Sequence, residues 1–162
     1  MKISKVRDVK TPERGTAKSA GIDFFVPNDF IQRVLPPQCD ILIPSGIVAN
    51  IPENRMLMAA EKSGVVTSKQ AAIEAGRVPK PSAFTSIVIL GAKIVDEDYQ
   101  GEIHIHLVIV GDEYVTIKPG TKIAQFILVP VDYDDISVVP RNQLFSEKSE
   151  RGEGGFGSTD KK

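Results

Sequence analysis

Short apolar runs that alternate inward and outward, each closed by proline, glycine or asparagine, constrain this chain to an all-β fold. Lys2-Ile3-Ser4-Lys5-Val6, Ile41-Leu42-Ile43, Met56-Leu57-Met58 and residues 87–90, 103–110 and 126–131 are rich in β-branched side chains. Their period is that of strands rather than helices. Between them lie turn signals at Pro27-Asn28-Asp29, Pro36-Pro37, Pro44-Ser45-Gly46, Pro52-Glu53-Asn54, Gly111-Asp112 and Lys118-Pro119-Gly120. Eleven prolines and thirteen glycines spread this evenly punctuate strands and do not make a linker. Such spacing predicts a sandwich or jelly-roll-like barrel. Two segments break the pattern. Residues 68–76 predict a short helix, capped by Ser68 and ended by Gly76, and 77–82, with Pro79 and Pro81, read as an extended loop. From Ser146 the chain is polar, charged and glycine-rich around one aromatic, Phe156, a composition that predicts disorder.

The 162 residues suit one domain with a core of its own. A formal net charge of -1 argues against a nucleic-acid binder that works by general electrostatic attraction, while leaving room for the local basic patch a phosphate site needs. The single cysteine, Cys39, has no internal disulfide partner and reads as a buried strand residue. No stretch has the length of a membrane span, so the expectation is a soluble, cytoplasmic or otherwise intracellular protein.

Four patches carry candidate chemistry. Asp23 follows Gly21 inside an apolar strand, where an acid is most often solvated or a turn cap. Glu61-Lys62-Ser63-Gly64-Val65 sets a cation, a hydroxyl and a glycine in sequence, as a phosphate site needs, although an ordinary turn fits as well. Asp96-Glu97-Asp98-Tyr99-Gln100-Gly101-Glu102 reads as a charged hairpin turn, or as a loop placing a carboxylate base beside a metal-bound phosphate. In the tail, Arg151 offers a forked phosphate donor and Phe156 a face for a base, among glycines at 152, 154, 155 and 157. An aromatic there has no core to join, which favours a lid ordered by ligand over simple fraying. His104 and His106 share one strand face, with no third metal ligand at a recognisable spacing.

In this order the patches resemble the five motifs of the trimeric dUTPases. Ala20-Gly21-Ile22-Asp23 looks like the first and Lys62-Ser63-Gly64-Val65 like the second. Ile94-Val95-Asp96-Glu97-Asp98-Tyr99-Gln100-Gly101 resembles the third, Gly120-Thr121-Lys122-Ile123-Ala124-Gln125-Phe126 the fourth, and the tail the fifth. The resemblance implies a distorted jelly roll of the dUTPase-like β-clip type over residues 1–145 and a flexible arm, 146–162, closing on the active site. It implies a homotrimer with shared sites that hydrolyses dUTP to dUMP and pyrophosphate with Mg²⁺, lowering dUTP and supplying dUMP for thymidylate synthesis. By position, Asp96 would activate the attacking water and touch the sugar 3′-OH, and Tyr99 would exclude a 2′-OH. Lys62, Ser63, Gly64 and Gln125 would hold phosphate oxygens, with Ser63 and Gln125 catalytic beside Asp96. Asp23 would support the water shell of a Mg²⁺ held mainly by the phosphates. The hairpin backbone around Leu90, Gly91, Ala92, Lys93 and Val95 would read uracil. Arg151 would pair with the γ-phosphate, Phe156 would stack on the base, and Gly157, Ser158 and Thr159 would complete the closed arm.

The chain departs from that pattern at three places. Glu61-Lys62 stands where the family has proline and arginine, and Lys93 where it has glycine. The stretch after Val65 is longer by about fifteen residues, an insertion around 68–83 that fits a surface loop and is a candidate protein-partner site. The same fold also serves dCTP deaminases, which the match of Asp96, Tyr99 and the tail disfavours. A regulatory scaffold or a purely structural jelly roll would explain the strands but not the aromatic in the arm.

Overall fold

A computed structural model describes residues 1–61, 87–111 and 114–153. They fall into two compact units, Met1–Asp132 and Tyr133–Lys162. The first is built of strands β1 (Lys2–Lys5), β2 (Gly21–Phe25), β3 (Arg33–Leu35), β4 (Asp40–Pro44), β5 (Ile47–Asn50) and β6 (Arg55–Ala60). It continues with β7 (Ile87–Leu90), β8 (Ile94–Val95), β9 (His104–Val110), β10 (Val115–Ile117) and β11 (Lys122–Pro130). The second unit holds one helical turn, α1 (Arg141–Leu144). No described helix is long and apolar enough to cross a membrane. The helix expected over 68–76 and the loop 77–82 lie outside the described residues.

Pairing among the described strands gives four small sheets, ordered β1-β5, β10-β3, β2-β11-β6-β8 and β4-β9-β7, all of their ladders antiparallel. The alternation that marks β9 in the sequence is the cause of its place. Ile105, Leu107 and Ile109 are each 1% exposed, while His104 and Val110 face out. Phe24 of β2 and Phe126 of β11 meet at the centre with ring centroids 4.5 Å apart and tilted. Emptying such a position to alanine typically costs about 3–5 kcal/mol. The turn into β11 follows from Pro119-Gly120: Gly120 has φ +72, and the Thr121 N–H donates to the Lys118 carbonyl. Proline followed by a left-handed glycine is the requirement of a type II turn.

Cys39 corrects one expectation. It lies just before β4, half-buried against the core rather than within the strand, with its thiol donating to the Pro36 carbonyl. Asp40 opens the strand instead, its Oδ2 2.8 Å from His106 Nε2.

Candidate active site

The four-stranded sheet gathers the polar patches that the sequence scatters. β11 is its hub, pairing β2 on one side and β6 on the other, so that Gln125 is opposite both Asp23 and Ala60. Three candidate segments therefore meet in one row across the sheet. Asp23 is buried, and its carboxylate receives the Lys122 ammonium at 2.6 Å. Lys122 in turn sits 5.5 Å from the centre of the Phe25 ring. A buried acid needs such a partner to stay charged. The Gln125 amide N–H donates to the Glu61 carbonyl at 3.1 Å, tying β11 to the residue that precedes Lys62-Ser63-Gly64. Those three residues lie outside the described structure.

Gly21 makes room for this arrangement. A Cβ there would collide with the side-chain amide of Gln125, so the close approach demands glycine. Gly21→Ala is expected to push the amide off its station and cost about 1–3 kcal/mol of stability. A melting curve beside that of the wild type checks this, an unchanged Tm showing that the Gln125 side chain yields freely.

Residues 90–94 join the two larger sheets. β7 pairs outward with β9 and β8 pairs outward with β6, and among the described residues no ladder joins β7 to β8. The connection is held from behind by His106. The Gly91 N–H donates to the His106 carbonyl at 2.9 Å, and the Ala92 N–H to His106 Nδ1 at 3.2 Å. An accepting Nδ1 leaves the proton on Nε2, which faces Asp40 Oδ2 at 2.8 Å. A Cβ on Gly91 would strike the imidazole. His104, on the same strand face, contacts the Glu102 carbonyl at 2.9 Å instead. From the front, Glu61 reaches the same connection. Its Oε1 lies 2.6 Å from Lys93 Nζ and accepts from the Leu90 N–H at 3.4 Å. The Lys93 hydrogen bond, helped by backbone amides, holds the Glu61 carboxyl below its ordinary value.

Asp96 and Tyr99 stand apart from this cluster. The pair Val95↔Leu57 lies three residues along β6 from Ala60, a separation of roughly 10 Å that grows toward Asp96. There the chain turns, with the Tyr99 N–H donating to the Asp96 carbonyl at 3.2 Å. Asp96 is exposed. Tyr99, 44% exposed, donates its hydroxyl to the Glu102 carbonyl at 3.0 Å. An open cavity of about 450 Å³ adjoins this turn, lined by Lys2, Ser4, Ala49, Asn50, Glu97 and Tyr99 among others.

Glu102 anchors the turn by accepting from Arg7 Nε at 2.8 Å and from the Gly46 N–H at 2.7 Å. Burial pushes its carboxyl up, but the Arg7 and Gly46 hydrogen bonds and the Arg7 charge outweigh that and leave it lowered. A depressed carboxyl stabilises the fold above its unfolded value, near ~4.3, and that contribution is lost as pH falls through the folded value. Glu102→Gln should therefore melt a few degrees lower at neutral pH, with the gap closing on acidification. Thermal melts across pH 3–7 test it.

Of the tail, Arg151 is described, with Gly152 at φ +55 and its N–H on the Ser149 carbonyl and hydroxyl at 3.1 and 3.0 Å. Phe156, Gly157, Ser158 and Thr159 lie outside the described residues, as does the 68–83 insertion. Sequence reasoning passed over Lys122, Asp40 and the side chain of Glu61 as parts of the site.

A β-clip jelly roll with its polar groups gathered at one end of a four-stranded sheet is the class of protein these features define. The dUTPase family profile matches residues 7–160. The deoxyuridine 5'-triphosphate nucleotidohydrolase of Hydrogenobaculum sp. is 30% identical over 159 residues, 97% of this chain and 95% of that protein. The enzyme of the same name from Candida glabrata is 33% identical over 150 residues, 93% and 88% of the two chains. Among solved structures, the Staphylococcus bacteriophage 80alpha dUTPase with dUpNHpp superposes with a TM-score of 0.73 at 22% identity, over 97% of this chain and 96% of that one. The chain belongs to the dUTPase family.

Proposed function

We propose that this chain hydrolyses dUTP to dUMP and pyrophosphate, in sites built from more than one copy of the chain in a homotrimer. The carrying observation is the division of the polar groups within one chain. Asp23, Gln125, Glu61 and the 90–94 connection cluster at one sheet end, while Asp96 and Tyr99 stand roughly 10 Å or more away along the strands. A second copy bringing its Asp96 turn to the Gln125 cluster would complete the site.

In this reading the gap between β7 and β8 receives uracil, whose edge takes the place of a pairing strand. Backbone groups there have fixed donor and acceptor directions, so cytosine, with the opposite pattern at its edge, leaves buried groups unpaired. Such mispairing discriminates by roughly 10⁴ or more. Tyr99 packs under the sugar and leaves no space for a 2′-OH. Asp96 accepts a proton from the water that attacks the α-phosphorus in line, and also holds the 3′-OH. The Gln125 amide, with Lys62, Ser63 and Gly64, steadies the phosphate oxygens. Arg151 pairs with the γ-phosphate while Phe156 covers the base and Gly157, Ser158 and Thr159 close over the phosphates.

Mg²⁺ fits these residues as a cation carried by the substrate. Asp23, one buried carboxylate already facing Lys122, suits contact with a water shell. When bound, Mg²⁺ supplies charge neutralisation along the triphosphate. The product serves thymidylate synthesis, and the reaction keeps dUTP low. Incubation with dUTP, dCTP, dTTP and UTP in the presence of Mg²⁺ tests the reading. Pyrophosphate release from dUTP alone is expected. Ammonia release from dCTP, or no reaction with dUTP, would overturn it.

A further inference from the structure

Two departures from the family's usual residues, Glu61 and Lys93, are partners in space. They are bonded at 2.6 Å across 32 positions of sequence. Glu61 is fixed at both ends: its carbonyl accepts from Gln125, and its carboxylate reaches the Leu90 N–H and Lys93. The Leu90 N–H points away from β9, since it is the next amide, that of Gly91, which bonds to His106. The carboxylate therefore sits at the gap between β7 and β8, where it accepts from the Leu90 N–H.

We infer that Glu61 and Lys93 form a specificity-determining pair, in which Lys93 neutralises the Glu61 carboxylate at the base pocket and thereby keeps the pocket for uracil over cytosine. The inference rests on the reading of residues 90–95 as the base-binding hairpin. A lone carboxylate is an acceptor only; it favours the N4 amino donor of cytosine and repels a carbonyl at the same position. With the ammonium on it, the carboxylate's acceptor strength is spent within the protein and the net local charge is zero. The pair is partly exposed, with side chains 45% and 30% accessible for Lys93 and Glu61, so water screens it in the empty protein. A bound base displaces that water, and the unpaired charge then costs most. Glu61 remains charged across the neutral range, since Lys93 holds its carboxyl low. The same geometry links the phosphate-handling strand to the base-reading connection through one residue.

The test compares Lys93→Ala, Lys93→Arg, Glu61→Gln and the double variant Glu61→Gln/Lys93→Ala, measuring kcat and KM for dUTP and dCTP hydrolysis with Mg²⁺. Lys93→Ala should raise KM for dUTP by about tenfold, far more than it moves kcat, and raise the dCTP-to-dUTP ratio of kcat/KM by about tenfold or more. Lys93→Arg keeps the charge and should keep the discrimination. The double variant, having no charge to neutralise, should recover most of what Lys93→Ala loses, and Glu61→Gln alone should leave uracil preferred. If Lys93→Ala discriminates as the wild type does, or the double variant is as defective as the single one, the inference is wrong. Wild-type protein that leaves dUTP intact would instead defeat the proposed function. Equilibrium binding of dUMP and dCMP to the same four variants reads the base preference without turnover, and must move in the same order.

Discussion

Asp96→Asn is expected to lower the rate of dUTP hydrolysis by about a thousandfold while leaving the protein folded, because an amide of the same shape cannot take the proton of the attacking water. The fold should not notice the change. Asp96 is exposed, and its structural contact is the backbone carbonyl that accepts from the Tyr99 N–H, which asparagine keeps. The loss should fall on kcat, with affinity for dUMP changed only as far as the 3′-OH contact is weakened. Turnover measured beside a melting curve separates the two effects. A variant working within tenfold of the wild type would remove Asp96 from the role of base.

Truncation after Glu150 should lower kcat by about a hundredfold or more and leave the strands intact. The cut removes Arg151, the Arg141–Glu153 ion pair and the Gly152 turn, all of which belong to the second unit. It also removes Phe156, Ser158 and Thr159. The core of Phe24, Phe126 and the inward face of β9 lies in Met1–Asp132. Circular dichroism should be unchanged, while saturation of the truncate by dUTP weakens and its turnover slows. A truncate with full activity would refute the arm's part in closing the site.

The longer strands could be read in the sequence because each carries enough alternation to reveal its buried face, as β9 and β11 do. β3, β8 and β10 could not, since two or three residues give too little alternation to mark a face. The motif residues were legible as separate patches. Their juxtaposition was not, because register is set by pairing between distant segments: Asp23 meets Gln125 and Lys122 only through the β2–β11 ladder. Position 39 misled for a related reason. The apolar run that begins there becomes strand one residue later, once Asp40 faces His106. Glu61 and Lys93 are the clearest case. Each is an isolated oddity in the sequence, and the β6–β8 pairing that brings them together depends on a strand of two residues, β8. A substitution that breaks a motif is best judged beside its spatial neighbours.

In the proposed homotrimer one working site draws Asp96 and Gln125 from different copies of the chain. This is tested most directly by co-expressing Asp96→Asn and Gln125→Ala chains, each with its own tag, and isolating the mixed oligomers. If the two residues come from separate copies, every mixed trimer holds one site in three with both intact groups, and about a third of the wild-type activity should return from two nearly inactive parents. Activity no greater than the average of the parents would contradict the account, because it would place both residues in the same copy.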